Sequence, residues 1–170
     1  MCIGAVVGDM MSEIEVMKNA IAALEGRMDL GYAKGIFAYD AWKKMLLDEQ
    51  SFSGNEIYDT LFSKLLVQND AMCCIKDGRS HAASYMQELS EKYEDDKKCL
   101  LLEIANHFNK VSEYAENMIK LIGEWPDTDK MLKNLANRKV REEVGKLIIQ
   151  AKQEDEKALQ KMNKLTNLYK

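Results

Sequence analysis

Apolar positions recur along most of this chain at spacings of three and four, the period of an amphipathic helix. "SEIE" (12–15) reads as a capping box, in which the Ser12 hydroxyl accepts from the Glu15 amide and Glu15 reaches back. The helix it opens runs to about Glu25, with Ile14, Met17, Ile21 and Leu24 as its stripe and Gly26 as its stop. Gly31 and Gly35 then bracket a turn into a second helix over 34–48. Its apolar residues, from Ile36 through Phe37, Tyr39 and Trp42 to Leu47, cover more than one face. That pattern predicts a helix buried among others.

"SFSGN" (51–55) is a break, and a long helix follows over 55–89 with Gly78 inside it. Another long helix runs from Tyr93 or Glu94 to Ile122, and "GEWPD" (123–127) stops it, because Gly and Pro both punctuate there. A short helix spans 128–135 and a final one 137–168, where Val140, Val144, Leu147, Ile148 and Ala151 begin a stripe opposite a Lys- and Glu-rich face read as solvated. Short connections between long amphipathic helices imply antiparallel neighbours. The expected fold is all-α, a five- to six-helix antiparallel bundle with a short N-terminal strand or arm. Residues 1–10 form the arm, apolar at "CIGAVVG" (2–8), and 11–170 a single helical domain. A lone strand must pair with something, so a homodimer through the arm is one expectation and a missing preceding domain another.

Composition sharpens this. At 170 residues, 46% hydrophobic and 31% charged, the chain is of globular type. A net charge of −4 gives it no basic footprint for nucleic acid. The most basic window, "NRKVREEVGK" (137–146), is interrupted by two glutamates and reads as a solvated helix face. The apolar N-terminal stretch is too short to span a membrane and lacks a basic flank. Cys2, Cys73, Cys74 and Cys99 have no CxxC spacing and read as reduced thiols, which points to the cytoplasm.

Chemistry is scarce. On the third helix Asp70, Cys74, Asp77 and His81 share a face, as do Cys73, Asp77 and His81. Thiolate, carboxylate and imidazole are all metal ligands, but a hydrogen-bonded polar stripe is the plainer reading, and no metal or other cofactor is expected. Cys73 and Cys74 lack a glycine-rich elbow, so they read as buried structural thiols. On the fourth helix Glu103, Asn106, His107 and Tyr114 interrupt the apolar run; Glu103 and His107 are four apart, where a di-iron Glu-x-x-His motif needs three. His107 therefore reads as a satisfied structural histidine. Asn69 and Asp70 disfavour a helix interior and need partners. Arg79 lies close to three turns beyond them, too far to pair with Asp70 along one straight helix, so each looks to another element. They are either clasps between helices or the polar end of a pocket.

One resemblance runs through these segments. "AYDAW" (38–42), "LLDEQSF" (46–52), "NDA" (69–71), "DGRSHAASYM" (77–86) and "IGEW" (122–125) are similar to a helical region of bacterial proteins. The N-terminal part of those proteins resembles the butirosin biosynthesis protein H family, a papain-like acyltransferase group; some regulator-linked effector domains share the region. Tyr39, Trp42, Asn69, Asp70 and Arg79 match its characteristic positions. The resemblance implies an accessory or ligand-binding module whose catalytic domain lies elsewhere.

The expected function is non-catalytic binding of a small molecule in an interhelical pocket, for effector sensing or ligand sequestration. Tyr39 and Trp42 stack on the ligand, Asn69 and Arg79 fix its polar groups, and Tyr114 completes the site. The alternative is a protein-interaction module, a small inhibitor or adaptor, phage-borne for instance, docking on a basic partner.

Overall fold

The computed structural model describes residues 11–29, 31–52 and 58–169. The expected arm over 1–10, and any dimer made through it, lies outside them. Six α-helices occur among the described residues: α1 (Glu13–Glu25), α2 (Ile36–Leu46), α3 (Tyr58–Ser90), α4 (Asp96–Ile122), α5 (Thr128–Ala136) and α6 (Arg138–Asn167). The fold is the expected all-α bundle of long packed helices.

The capping box forms as expected, Ser12 N–H donating to Glu15 Oε2 at 2.9 Å and Glu15 N–H to Ser12 Oγ at 3.4 Å. Asp95, Asp127 and Asn137 cap α4, α5 and α6 with their side chains. Between α1 and α2 the chain makes a small hairpin, β1 (Met28–Asp29) against β2 (Tyr32–Ala33), in place of a simple turn. Gly26 and Gly35 flank it, both at φ 59°. Their backbones lie so close that a side chain on Gly26 would run into the Lys34 backbone and one on Gly35 into the backbone of Leu24 and Gly26.

Contacts along α6 set the directions. Leu46 meets Arg141, Asp40 meets Lys152 and Tyr39 meets Asp155, so α2 is antiparallel to α6. Met17 and Leu24 of α1 continue the same path beside Ala158, Met162 and Leu165. The two short helices thus take the place of one long helix, broken at the hairpin. With α3, α4 and α6 they make an up–down–up–down four-helix bundle. The α3–α4 and α4–α6 seams are closely packed and α1–α2 lies along α6, whereas α3 makes little backbone approach to α1 or α2.

The core falls into two clusters. One gathers Leu46, Leu65, Met72, Val111, Met118, Leu135, Val144 and Ile148; the other gathers Met17, Leu24, Met86, Leu101, Ile104, Phe108 and Met162. Polar residues lie at their junction: Tyr39 of α2, Arg79 of α3, His107 of α4, and Glu154 and Asp155 of α6.

No helix among the described residues is long and apolar enough to cross a membrane.

Candidate functional site

Asp155 is fully buried, and a buried carboxylate needs full compensation. It receives Arg79 Nε at 2.8 Å on Oδ1, and Arg79 Nη2 and the Tyr39 hydroxyl, each at 2.7 Å, on Oδ2. This is the planar fork-to-carboxylate pairing that arginine supports best. The guanidinium also lies over the Phe108 ring, 5.5 Å from its centroid. Burial, with the Asp155 charge beside it, pushes the Tyr39 phenol far above its ordinary range and keeps it a donor. Burial alone would lower the Arg79 pKa, but the Asp155 bonds more than reverse that. Asp155 thus clasps α2 to α3 through α6.

Beside it, His107 Nδ1 and Glu154 Oε2 are 2.6 Å apart, so His107 is the satisfied structural histidine expected of it. Lys157 donates to the other Glu154 oxygen at 2.6 Å, and Lys110 stands 3.7 Å away. Burial would raise the Glu154 carboxyl, but these partners outweigh it and hold it below the usual carboxylate range.

A third polar group was not legible as such. Arg141 falls within the basic window read as a solvated face, yet it is 0% exposed. Its Nε donates to Leu46 O at 3.0 Å, its Nη1 to Leu135 O and Ala136 O at 3.0 and 2.8 Å, and its Nη2 to Glu49 at 2.8 Å. A cation on the last carbonyls of α2 and α5 complements both helix dipoles. The Phe52 ring packs on its guanidinium at 4.5 Å.

The loosely approached flank between α3 and α1–α2 is a long open seam. Three hollows follow one another along α3, of about 480, 340 and 460 Å³. The lower is lined by Met45, Phe52, Thr60, Lys64, Val67 and Gln68. The middle is lined by Ala38, Tyr39, Trp42, Ala71, Cys74, Ile75 and Arg79. The upper holds Val16, Ala20, Ala23, Ala82, Tyr85 and Met86 among its residues. From Thr60 to Met86 at 1.5 Å per residue the seam is about 39 Å long.

This corrects the expectation for α2. One side packs on α6, but Ala38, Trp42 and Met45 face the seam, and Met45 is 57% exposed. Val67, on the opposite wall, is 61% exposed. The seam face of α3 is small at Ala71, Cys74 and Ala82. Gly78, on the same face one turn from Cys74 and Ala82, has nothing within reach of an added Cβ.

Of the five expected site residues, Tyr39, Trp42 and Arg79 meet at the middle hollow. Tyr39 and Arg79 are engaged by Asp155, and the Trp42 indole N–H donates to Gln68 at 2.5 Å. Asn69 lies elsewhere, on the α4 side of α3: seven residues on, the Lys76 carbonyl accepts from Ser112 of α4. Tyr114 packs against the core on α4 and does not line the hollow. Gln68, which closes the Trp42 bond and is itself buried, was missed.

No family model, curated protein or solved structure matches the chain.

The polar stripe on α3 does not converge. Asp70, Cys74, Asp77 and His81 are all exposed, and no cluster able to hold a metal occurs among the described residues. Cys73 is half-buried; burial first, then the Asp77 charge, raises its thiol away from the reactive thiolate.

Proposed function

We propose that the chain is a protein-interaction module whose open seam receives an amphipathic helix from a partner. The observation that carries this is the flank of the bundle where, among the described residues, three apolar hollows follow one another along about 39 Å of α3, with Tyr39, Arg79 and Gln68 beside them engaged within the chain. A helix laid there would complete the fourth wall. Its large side chains would enter the three hollows, and the small residues of α3 would let its backbone come close. A polar metabolite would have to compete with Asp155 and Gln68 for the groups that could hold it.

The test uses a 24-residue peptide patterned with Leu and Ala on one face and Gln elsewhere. Mixing it with the full chain should raise far-UV helicity above the sum of the two components. Gly78→Phe, which fills open space, and Val67→Asp should abolish the gain while the chain still melts as a folded protein. A gain that survives both variants would sink the seam as the docking site.

A second reading rests on the middle hollow alone, whose volume of about 340 Å³ is within the range of small-molecule sites. None of the Arg79 bonds to Asp155 uses Nη1. In that reading an anionic group meets Nη1 while Trp42 and Ile75 cover the apolar part. A metabolite that raises the melting temperature in wild type but not in Trp42→Ala would establish it; a panel without such a compound would exclude it.

A further inference from the structure

Every acidic residue of α3 lies in one row. The helix contains Asp59, Asp70, Asp77 and Glu88 and no other carboxylate. Their spacings of 11, 7 and 11 are close to whole turns, so the four side chains leave the helix in nearly the same direction. All four are exposed, and none has an ion-pair partner among the described residues. Elsewhere on the molecule Asp40, Glu103, Glu116, Glu142 and Glu143 are each paired with a cation.

The row runs beside the seam. Asp70 and Asp77 stand one turn before and after Cys74, which lines the middle hollow. Asp59 is one turn from Ser63 in the lower hollow, and Glu88 one turn from Tyr85 in the upper. The opposite lip carries no matching row: Asn19, Ala41 and Lys44 follow the seam faces of α1 and α2 there. The cations inside the seam are engaged, Lys64 with the Ser51 carbonyl and Arg79 with Asp155.

We infer that the partner helix is basic along the edge that meets α3, with lysine or arginine at turn-spaced positions beside its apolar stripe. This rests on the seam being the docking site. The apolar stripe supplies burial; the acidic row selects among amphipathic helices and speeds their encounter, as complementary rim charges do. Row and trough run the same length, so the charges read the partner over its whole contact.

The experiment compares three labelled 24-residue peptides by fluorescence anisotropy. They share one Leu/Ala stripe and carry Lys, Gln or Glu at the remaining positions. Rim pairs are individually weak, so the Lys peptide should bind about tenfold tighter than the Gln peptide, and the Glu peptide weakest. Salt at about 0.5 M should erase the ranking, because it screens exposed charge. The double variant Asp70→Asn/Asp77→Asn should cut the Lys preference by about threefold or more while leaving the Gln peptide unchanged. Equal affinities for all three peptides, with binding still lost in Gly78→Phe, would overturn the charge selection and leave the seam standing. No binding by any peptide, or binding untouched by Gly78→Phe, would overturn both. A concentration-dependent dimer of the chain, abolished by Gly78→Phe, would put a second copy in the seam and overturn the proposal as well.

Discussion

Asp155 and Arg141 hold the bundle in register, and each is exposed to a sharp test. Asp155→Asn keeps the shape but removes the charge that Arg79 and Tyr39 share. The loss should be about 3 kcal/mol, the low end for breaking a buried pair, because the Arg79 side chain is 27% exposed and can partly rehydrate. Tyr39→Phe should cost only about 1 kcal/mol, one neutral donor to a carboxylate that keeps its arginine. Both are read from urea midpoints at unchanged slope; equal effects would contradict the clasp. For Arg141, a lysine cannot reproduce a fork that reaches three carbonyls on two helices and Glu49. Arg141→Lys should therefore lose about 3 kcal/mol or more, and stability within about 0.5 kcal/mol of wild type would refute that role. Tyr39 stood out in the sequence because it clusters with Phe37 and Trp42, and Arg79 because it lies close to three turns beyond Asn69 and Asp70. Asp155 and Arg141 did not, because α6 is crowded with charge. A signal was nevertheless present. Positions 141, 144, 148, 151, 155, 158, 162 and 165 alternate spacings of three and four, so both charges occupy the core stripe itself.

At the scale of elements, glycines mark what is closed and what is open. Gly35→Ala must force a side chain into a positive-φ position and against the α1 end, and should destabilise by more than about 2 kcal/mol. Gly78→Ala meets nothing and should stabilise by about 0.5–1 kcal/mol, since a mid-helix glycine costs that much against alanine. Thermal melts of the two variants check the opposite signs, and a destabilising Gly78→Ala would mean that α3 is not open there. Helix existence was legible throughout, and boundaries within a few residues, because the apolar period is strong and Gly, Pro and capping residues punctuate it. The hairpin between Gly26 and Gly35 was not, since two-residue strands leave no periodic trace. Nor was the exposed side of α2: a helix apolar most of the way round looks buried, and only the arrangement of its neighbours shows which wall is missing.

At the scale of the molecule, two apolar clusters meet at a polar junction, and acid should loosen that junction. The Glu154 carboxyl is held below its ordinary value, so its contribution is complete above about pH 4.5 and fades as pH falls through the lower folded value. Glu154→Gln should be less stable than wild type near neutrality, with the gap narrowing between about pH 5 and pH 3. A gap constant with pH, in urea midpoints, would show that Lys157 and His107 give no charge-dependent support. The open flank is the larger consequence of the same architecture: among the described residues α1 and α2, broken at the hairpin, lie against α6 and leave three hollows along their side of α3. The chain contains two tryptophans, and they divide the question between them. Trp42 lines the seam, while Trp125 stands outside it, edge-on to Phe62 at 6.5 Å. The most direct measurement follows both indole N–H signals of the ¹⁵N-labelled chain by NMR during titration with the Lys-flanked 24-residue peptide. Docking in the seam predicts that the Trp42 signal shifts and saturates while Trp125 holds still; an unmoved Trp42, or movement of Trp125 alone, would contradict it.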